Sequence, residues 1–247
     1  MLPRFYAPAL RAETGVVELP ADQAEHLTRV LRLGAGAVVR VFDGRGAEYE
    51  ARVVHAVRRD VRLAIGAPVI GSAEPAVRVT LAQAIVKGDK MDGIIRDAVM
   101  LGVAAIQPLL TARTDVPASA LASGARLERW HRIVVASVKQ CGRAVVPEMA
   151  APDRVEPYLM RGHDGLRVML VEPGAAGQTM TVAALRETPP PAIAQVLVGP
   201  EGGWTPDEVG AAQAAGCLLV TLGRRTLRAD ATPLIALGVL QFLWGDL

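Results

Sequence analysis

The chain has 247 residues, 51% hydrophobic and 21% charged, with a net charge of +2. That balance excludes a disordered or fibrous chain and allows one large core or two modest ones. No apolar run reaches the roughly eighteen residues of a membrane helix, residues 1–6 lack a signal-peptide plan, and Cys141 and Cys217 can neither staple the fold nor build a zinc site, so a reduced, cytoplasmic, metal-free protein is expected.

Residues 1–72 read as a small β-rich module. Asp22-Gln23-Ala24-Glu25 has the form of a capping box and predicts a helix carrying His26, Leu27, Val30 and Leu31. Val38–Phe42 predicts a first strand, Asp43-Gly44 and Gly46 a hairpin turn, and residues 48–54 and 61–65 two further strands. The module carries ten basic and eight acidic side chains, so the whole net excess sits in it. Residues 68–76, with two prolines, a glycine and a serine, read as a linker.

From Val77 strands and helices alternate. Strands are expected at 77–84, 103–108, 168–172, 196–199 and 217–222, and helices at 89–101, 125–140, 206–215 and 232–243. Such alternation means an α/β domain with a mostly parallel sheet. Ligands in these sheets bind beyond the carboxyl ends of the strands, which directs attention to particular loops.

Leu197-Val198-Gly199-Pro200-Glu201-Gly202-Gly203-Trp204 leaves one strand, and its paired glycines let backbone N–H groups approach a ligand. Thr205 then caps a helix with Pro206 at its first position and Asp207 and Glu208 in its first turn. Those acids argue against phosphate there and favour a neutral or cationic ligand. An ordinary strand–turn–helix connection is the alternative. Leu222-Gly223-Arg224-Arg225-Thr226-Leu227-Arg228-Ala229-Asp230 leaves another strand with three arginines in five residues. It is either an anion-attracting surface or a solvated cluster. On the helix near 125–140, Leu127, Trp130, Val134 and Val138 form an apolar stripe, while Arg129, Arg132, Lys139 and Arg143 lean to another face. No nucleotide-hydrolase, zinc-protease or serine-hydrolase motif is present.

These residues resemble a family. The turns 197–204 and 222–230 are similar to the two C-terminal signatures of RsmE-type ribosomal RNA methyltransferases, of the SPOUT superfamily. Arg4-Phe5, the segment 26–32, Lys87-Gly88-Asp89-Lys90-Met91-Asp92, Leu101-Gly102-Val103, Arg113 and the series Gln140, Arg143, Pro147 resemble further motifs of that family in the same order. Asp230 stands where the family usually carries Glu.

The resemblance implies a PUA-like β-barrel RNA-binding domain over 1–72 and a trefoil-knotted SPOUT α/β methyltransferase domain over 73–247. It implies S-adenosyl-L-methionine as cofactor, a homodimer with the site completed across the interface, and methylation of N3 of one uridine in 16S rRNA of the small ribosomal subunit. Leu197, Gly199, Pro200, Glu201, Gly202, Gly203, Leu222, Gly223, Leu227 and Arg228 would bind the cofactor. Arg228 would stabilise a uridine anion, with Glu201 or Asp230 orienting it or accepting its proton. Arg4, Arg29, Arg32, Arg132, Lys139 and Arg143 would grip RNA phosphates. The alternatives are a SPOUT enzyme acting on another RNA or on ribose 2′-OH, and a non-catalytic RNA-binding assembly factor.

Overall fold

The computed structural model describes residues 2–116, 124–175 and 179–247. The chain forms two compact units, one of residues 1–74 and 135–146 and one of residues 75–134 and 147–247. A single cut at residue 72 therefore misses a later segment that folds back into the first unit.

The first unit is built on a five-stranded sheet in the order β1-β3-β4-β5-β2. Its strands are β1 (Arg4–Tyr6), β2 (Val16–Glu18), β3 (Val38–Phe42), β4 (Glu48–Val57) and β5 (Asp60–Pro68). β1 runs parallel to β3 and the other pairs are antiparallel. Alternation explains the buried face: Val39 and Val41 of β3, Ala51 and Val53 of β4, and Val61 and Leu63 of β5 join Phe5 and Leu27 in one core. Asp43 closes the β3–β4 turn, its Oδ1 accepting from the amides of Arg45 at 2.7 Å and Ala47 at 3.0 Å.

The expected capping box is absent. Helix α1 (Ala21–Glu25) starts two residues earlier, with Pro20 at the cap position, and the Asp22 carboxylate accepts instead from the Gln23 side-chain amide at 2.7 Å. Glu25 pairs with Arg29 at 2.6 Å and Arg59 at 3.2 Å.

The second unit holds an eight-stranded sheet, parallel throughout, in the order β11-β13-β10-β12-β6-β7-β8, with β9 also paired to β7. The strands are β6 (Arg78–Ala84), β7 (Ala105–Leu110), β8 (Glu148–Met149), β9 (Asp153–Arg154), β10 (Leu166–Leu170), β11 (Thr179–Thr181), β12 (Ile193–Val198) and β13 (Leu218–Thr221). β6 and β12 lie inside the sheet and bury residues of both faces, as parallel strands between helical layers do. The helices are α2 (Lys90–Met100), α3 (Ala125–Cys141), α4 (Val155–Met160), α5 (Pro206–Ala214) and α6 (Thr232–Trp244). Residues 125–134 of α3 belong to the second unit and the rest to the first. Strand order rather than chain order matters for function: β13, β10 and β12 are neighbours, so the loops leaving their carboxyl ends meet.

Candidate active site

The three loops after β10, β12 and β13 enclose a cavity of about 690 Å³. Its wall includes Glu172 after β10, residues 199–204 after β12, and Leu222 with residues 225–230 after β13. The geometry follows the rule that α/β ligands bind beyond strand carboxyl ends.

The turn 199–204 is held by Arg113 from outside it and by its own Trp204. Arg113 donates through Nη1 to the carbonyls of Gly202 at 2.7 Å and Trp204 at 3.3 Å. The Trp204 indole donates to the Leu170 carbonyl at 2.9 Å, pinning the turn to the end of β10. A Cβ on Gly199 would stand 3.1 Å from the Trp204 indole nitrogen, and one on Gly202 would stand 3.2 Å from the Arg113 side chain. Gly203 has φ +67°, where a side chain is strained. The glycines thus let the turn pack tightly while its main chain faces the cavity.

Thr205 caps α5 as expected, and it forms a reciprocal capping box with Glu208. The Glu208 carboxylate accepts from the Thr205 amide at 2.8 Å, and the Glu208 amide donates to Thr205 Oγ1 at 3.2 Å. Glu208 also accepts from the Ala112 amide at 2.8 Å, tying the loop after β7 to this helix. The helix start is filled by protein groups and offers nothing to a phosphate.

Charge in the cavity is mixed. Glu201 Oε1 accepts from Lys90 Nζ at 3.0 Å and from the Lys87 amide at 3.3 Å. Partial burial works to raise the Glu201 carboxyl, but its own amide, Lys90 and the Lys87 N–H outweigh it and hold the group below its ordinary range. Asp230 accepts from Arg228 Nε at 3.2 Å, and that hydrogen bond holds its carboxyl low, with a smaller contribution from the Lys90 charge. Both acids are therefore ionised at neutral pH, within a site that also presents Lys90, Arg113, Arg225 and Arg228. Among the described residues no cluster of His, Cys, Asp and Glu could hold a metal ion.

Of the expected cofactor residues, Gly199, Pro200, Glu201, Gly202, Gly203, Leu222, Leu227 and Arg228 line the cavity together, as does Asp230. Leu197 does not: it is fully buried inside β12, paired with Ala82 and Met169. Gly223 also lies outside the wall, at φ +127° in open space. Lys90, Arg113 and Glu172 line the cavity without having been expected there. Lys90 and Arg113 stood in motifs noted in the sequence; Glu172-Pro173-Gly174, a turn after a buried strand, was the signal for the third.

The expected phosphate contacts divide. Arg29, Arg32 and Arg132 are exposed. Arg4, Lys139 and Arg143 are corrected to structural residues of the first unit. The Arg4 guanidinium is buried, makes two hydrogen bonds to Glu48 at 2.9 and 2.8 Å, and donates to the carbonyls of Val138, Lys139 and Arg143. Arg143 is buried against Glu74. Lys139 donates to Gln23 at 3.0 Å beside the Phe5 ring, and burial pushes its ammonium below the ordinary lysine range. Arg4 and Arg143 are thus buried on partners inside the protein, and the half-buried Lys139 is turned inward beside them.

Residues 73–241 match the model of an RNA methyltransferase domain, and residues 19–65 that of an RNA methyltransferase PUA domain. Ribosomal RNA small subunit methyltransferase E of a Synechocystis species is 36% identical over 229 residues, covering 92% of this chain and 73% of the relative. The protein of the same name from Mycobacterium bovis is 27% identical, covering 97% of this chain and 91% of the relative. The crystal structure of ribosomal RNA small subunit methyltransferase E from Neisseria gonorrhoeae, bound to S-adenosyl methionine, is 32% identical with a TM-score of 0.88, covering 100% of this chain and 99% of that one.

Proposed function

Because the chain belongs to the family of ribosomal RNA small subunit methyltransferase E proteins, we propose that it methylates N3 of a uridine in 16S rRNA with S-adenosyl-L-methionine as donor. Its fold is the SPOUT-type α/β methyltransferase fold with a PUA-like unit. The observation that carries the reading is the cavity between the turns after β12 and β13, lined both by glycine-exposed main chain and by cations beside ionised carboxylates. That mixture suits a neutral adenosine, a zwitterionic amino-acid tail and a sulfonium.

Main-chain groups of Gly199, Gly202, Leu222 and Leu227 would hold the adenosine end. Bound there, the cofactor supplies a methyl group already activated on a positive sulfur, so the protein need only place and prepare the nucleophile. Uridine N3 is a poor nucleophile while protonated. Arg228, on the loop after β13, stabilises negative charge on the uracil oxygens, and Glu201 or Asp230 accepts the proton. Arg29, Arg32 and Arg132 draw in RNA phosphates. We assign the first unit, residues 1–74 with 135–146, to RNA binding and the second, residues 75–134 with 147–247, to methyl transfer, and we place this work in the cytoplasm, where ribosomal subunits are modified.

The active form is proposed to be a homodimer. Ile235 and Phe242, seven residues apart on α6, are 40% and 60% exposed, and residues 232–244 contain no charged side chain. An apolar helical stripe of this kind fits a second copy better than water.

The test is nucleoside mapping after incubation of unmethylated small subunits, or 16S rRNA, with labelled S-adenosylmethionine. Label in N3-methyluridine is expected. Label on a ribose 2′-oxygen, or none despite bound cofactor, overturns the proposal.

A further inference from the structure

Lys90 is the first residue of α2, where a cation opposes the helix dipole and an acid would be favoured. The sequence accepts that cost at a residue whose side chain lines the cavity. There the ammonium is 3.0 Å from Glu201 Oε1, and the two side chains are 36% and 33% exposed. The same oxygen accepts from the Lys87 amide, so Glu201 ties the start of α2 to the glycine turn. The second acid is differently engaged: Asp230 is bound by Arg228 of its own loop, two residues away, and Arg228 is 77% exposed.

We propose that Lys90 and Glu201 are the proton-handling pair of this site: the Glu201 carboxylate takes the N3 proton of the target uridine while the Lys90 ammonium meets a uracil carbonyl oxygen. The inference rests on the uridine-N3 reading and refines it by choosing between the two acids. The N3–H bond breaks with its electron pair left on nitrogen, and the proton forms an O–H bond on Glu201. The pair on N3 is then free for the methyl group, and Glu201 returns its proton to solvent.

Exchange of partners makes the step feasible. While Lys90 is bonded to Glu201 the carboxylate is a weak base. As the ammonium turns toward the uracil oxygen, Glu201 loses its cation and gains proton affinity at the moment the uridine anion gains a counter-charge. Lysine suits this better than arginine because its three donors rotate on a flexible stem. Arg228 is left to serve the other uracil oxygen.

The experiment compares K90M and K90R with the wild type. Calorimetry first establishes that each binds S-adenosylmethionine within about threefold of wild type. The methylation rate of K90M is then expected to fall about 100-fold, with K90R recovering part of it. RNA carrying 5-fluorouridine, whose N3 proton is more acidic, should restore most of the K90M rate, which a merely structural lysine would not allow. In cofactor-free protein, carbon NMR of the Glu201 carboxyl should show its titration moving to higher pH in K90M. A K90M rate within about threefold of wild type, or a loss that 5-fluorouridine does not relieve, overturns the inference. Failure of the wild type itself to methylate N3 refutes the underlying reading instead.

Discussion

Replacing Arg4 with methionine would separate a structural role from an RNA-binding one. Arg4 and Glu48 are buried, their side chains 4% and 1% exposed, and the guanidinium also satisfies three main-chain carbonyls. Removing the arginine strands a carboxylate in a dry site, a change that typically costs about 3–5 kcal/mol. We take about 4 kcal/mol, a large fraction of the roughly 5–15 kcal/mol that keeps a domain folded. At about 2–4 °C per kcal/mol for a chain of this size, the melting midpoint should fall by about 10 °C. Urea denaturation and calorimetry of R4M measure the loss, and R4M/E48M should regain at least half of it, because no unpaired charge then remains buried. A cost below about 1 kcal/mol, or a loss of RNA affinity without a loss of stability, would refute the reasoning and return Arg4 to the RNA surface.

Burial pushes the Cys217 thiol up to about 11 from 9.0 and the Tyr158 hydroxyl up to about 12 from 10.0. Both folded-state values lie above the unfolded ones, so this stability is complete below about pH 9 and is lost as pH rises through the folded values. Denaturation midpoints should be level from neutral pH to about 9 and decline above it, less steeply in C217A; an equal decline in C217A contradicts the assignment. R29A and R132A should each lower RNA affinity and reduce the slope of log affinity against log salt by about one, while leaving S-adenosylmethionine binding unchanged; unaltered slopes would remove both from the interface. F242R should shift the protein from dimer to monomer in sedimentation, and a variant still dimeric would clear α6 of that role.

Much of the architecture was legible because it follows local rules. β3 lies at Val38–Phe42 as its run of β-forming residues predicts, and α5 starts at Pro206 behind the Thr205 cap. The two signature turns were visible because each follows an apolar strand, one with the pair Gly202-Gly203 and the other with three arginines in five residues. What stayed hidden depends on partners distant in sequence. The short strand Arg4–Tyr6 exists because β3 lies beside it, and Arg4 reads as a free cation until Glu48 and residues 138–143 close around it. Asp22 has the right spacing for a cap, yet Pro20, two residues earlier and without an N–H, takes the cap position and leaves Asp22 inside the first turn. Glu172, Arg113 and Lys90 enter the cavity only through strand order, since β10, β7 and α2 bring them from well outside the turns they meet.

The most direct measurement is a crystal structure of the protein grown with S-adenosylmethionine. The account predicts the ligand's adenosine against the main chain of Gly199, Gly202, Leu222 and Leu227, with its methyl group open toward Lys90 and Glu201. Density for the ligand at any other place, with the cavity between those turns empty, would contradict it.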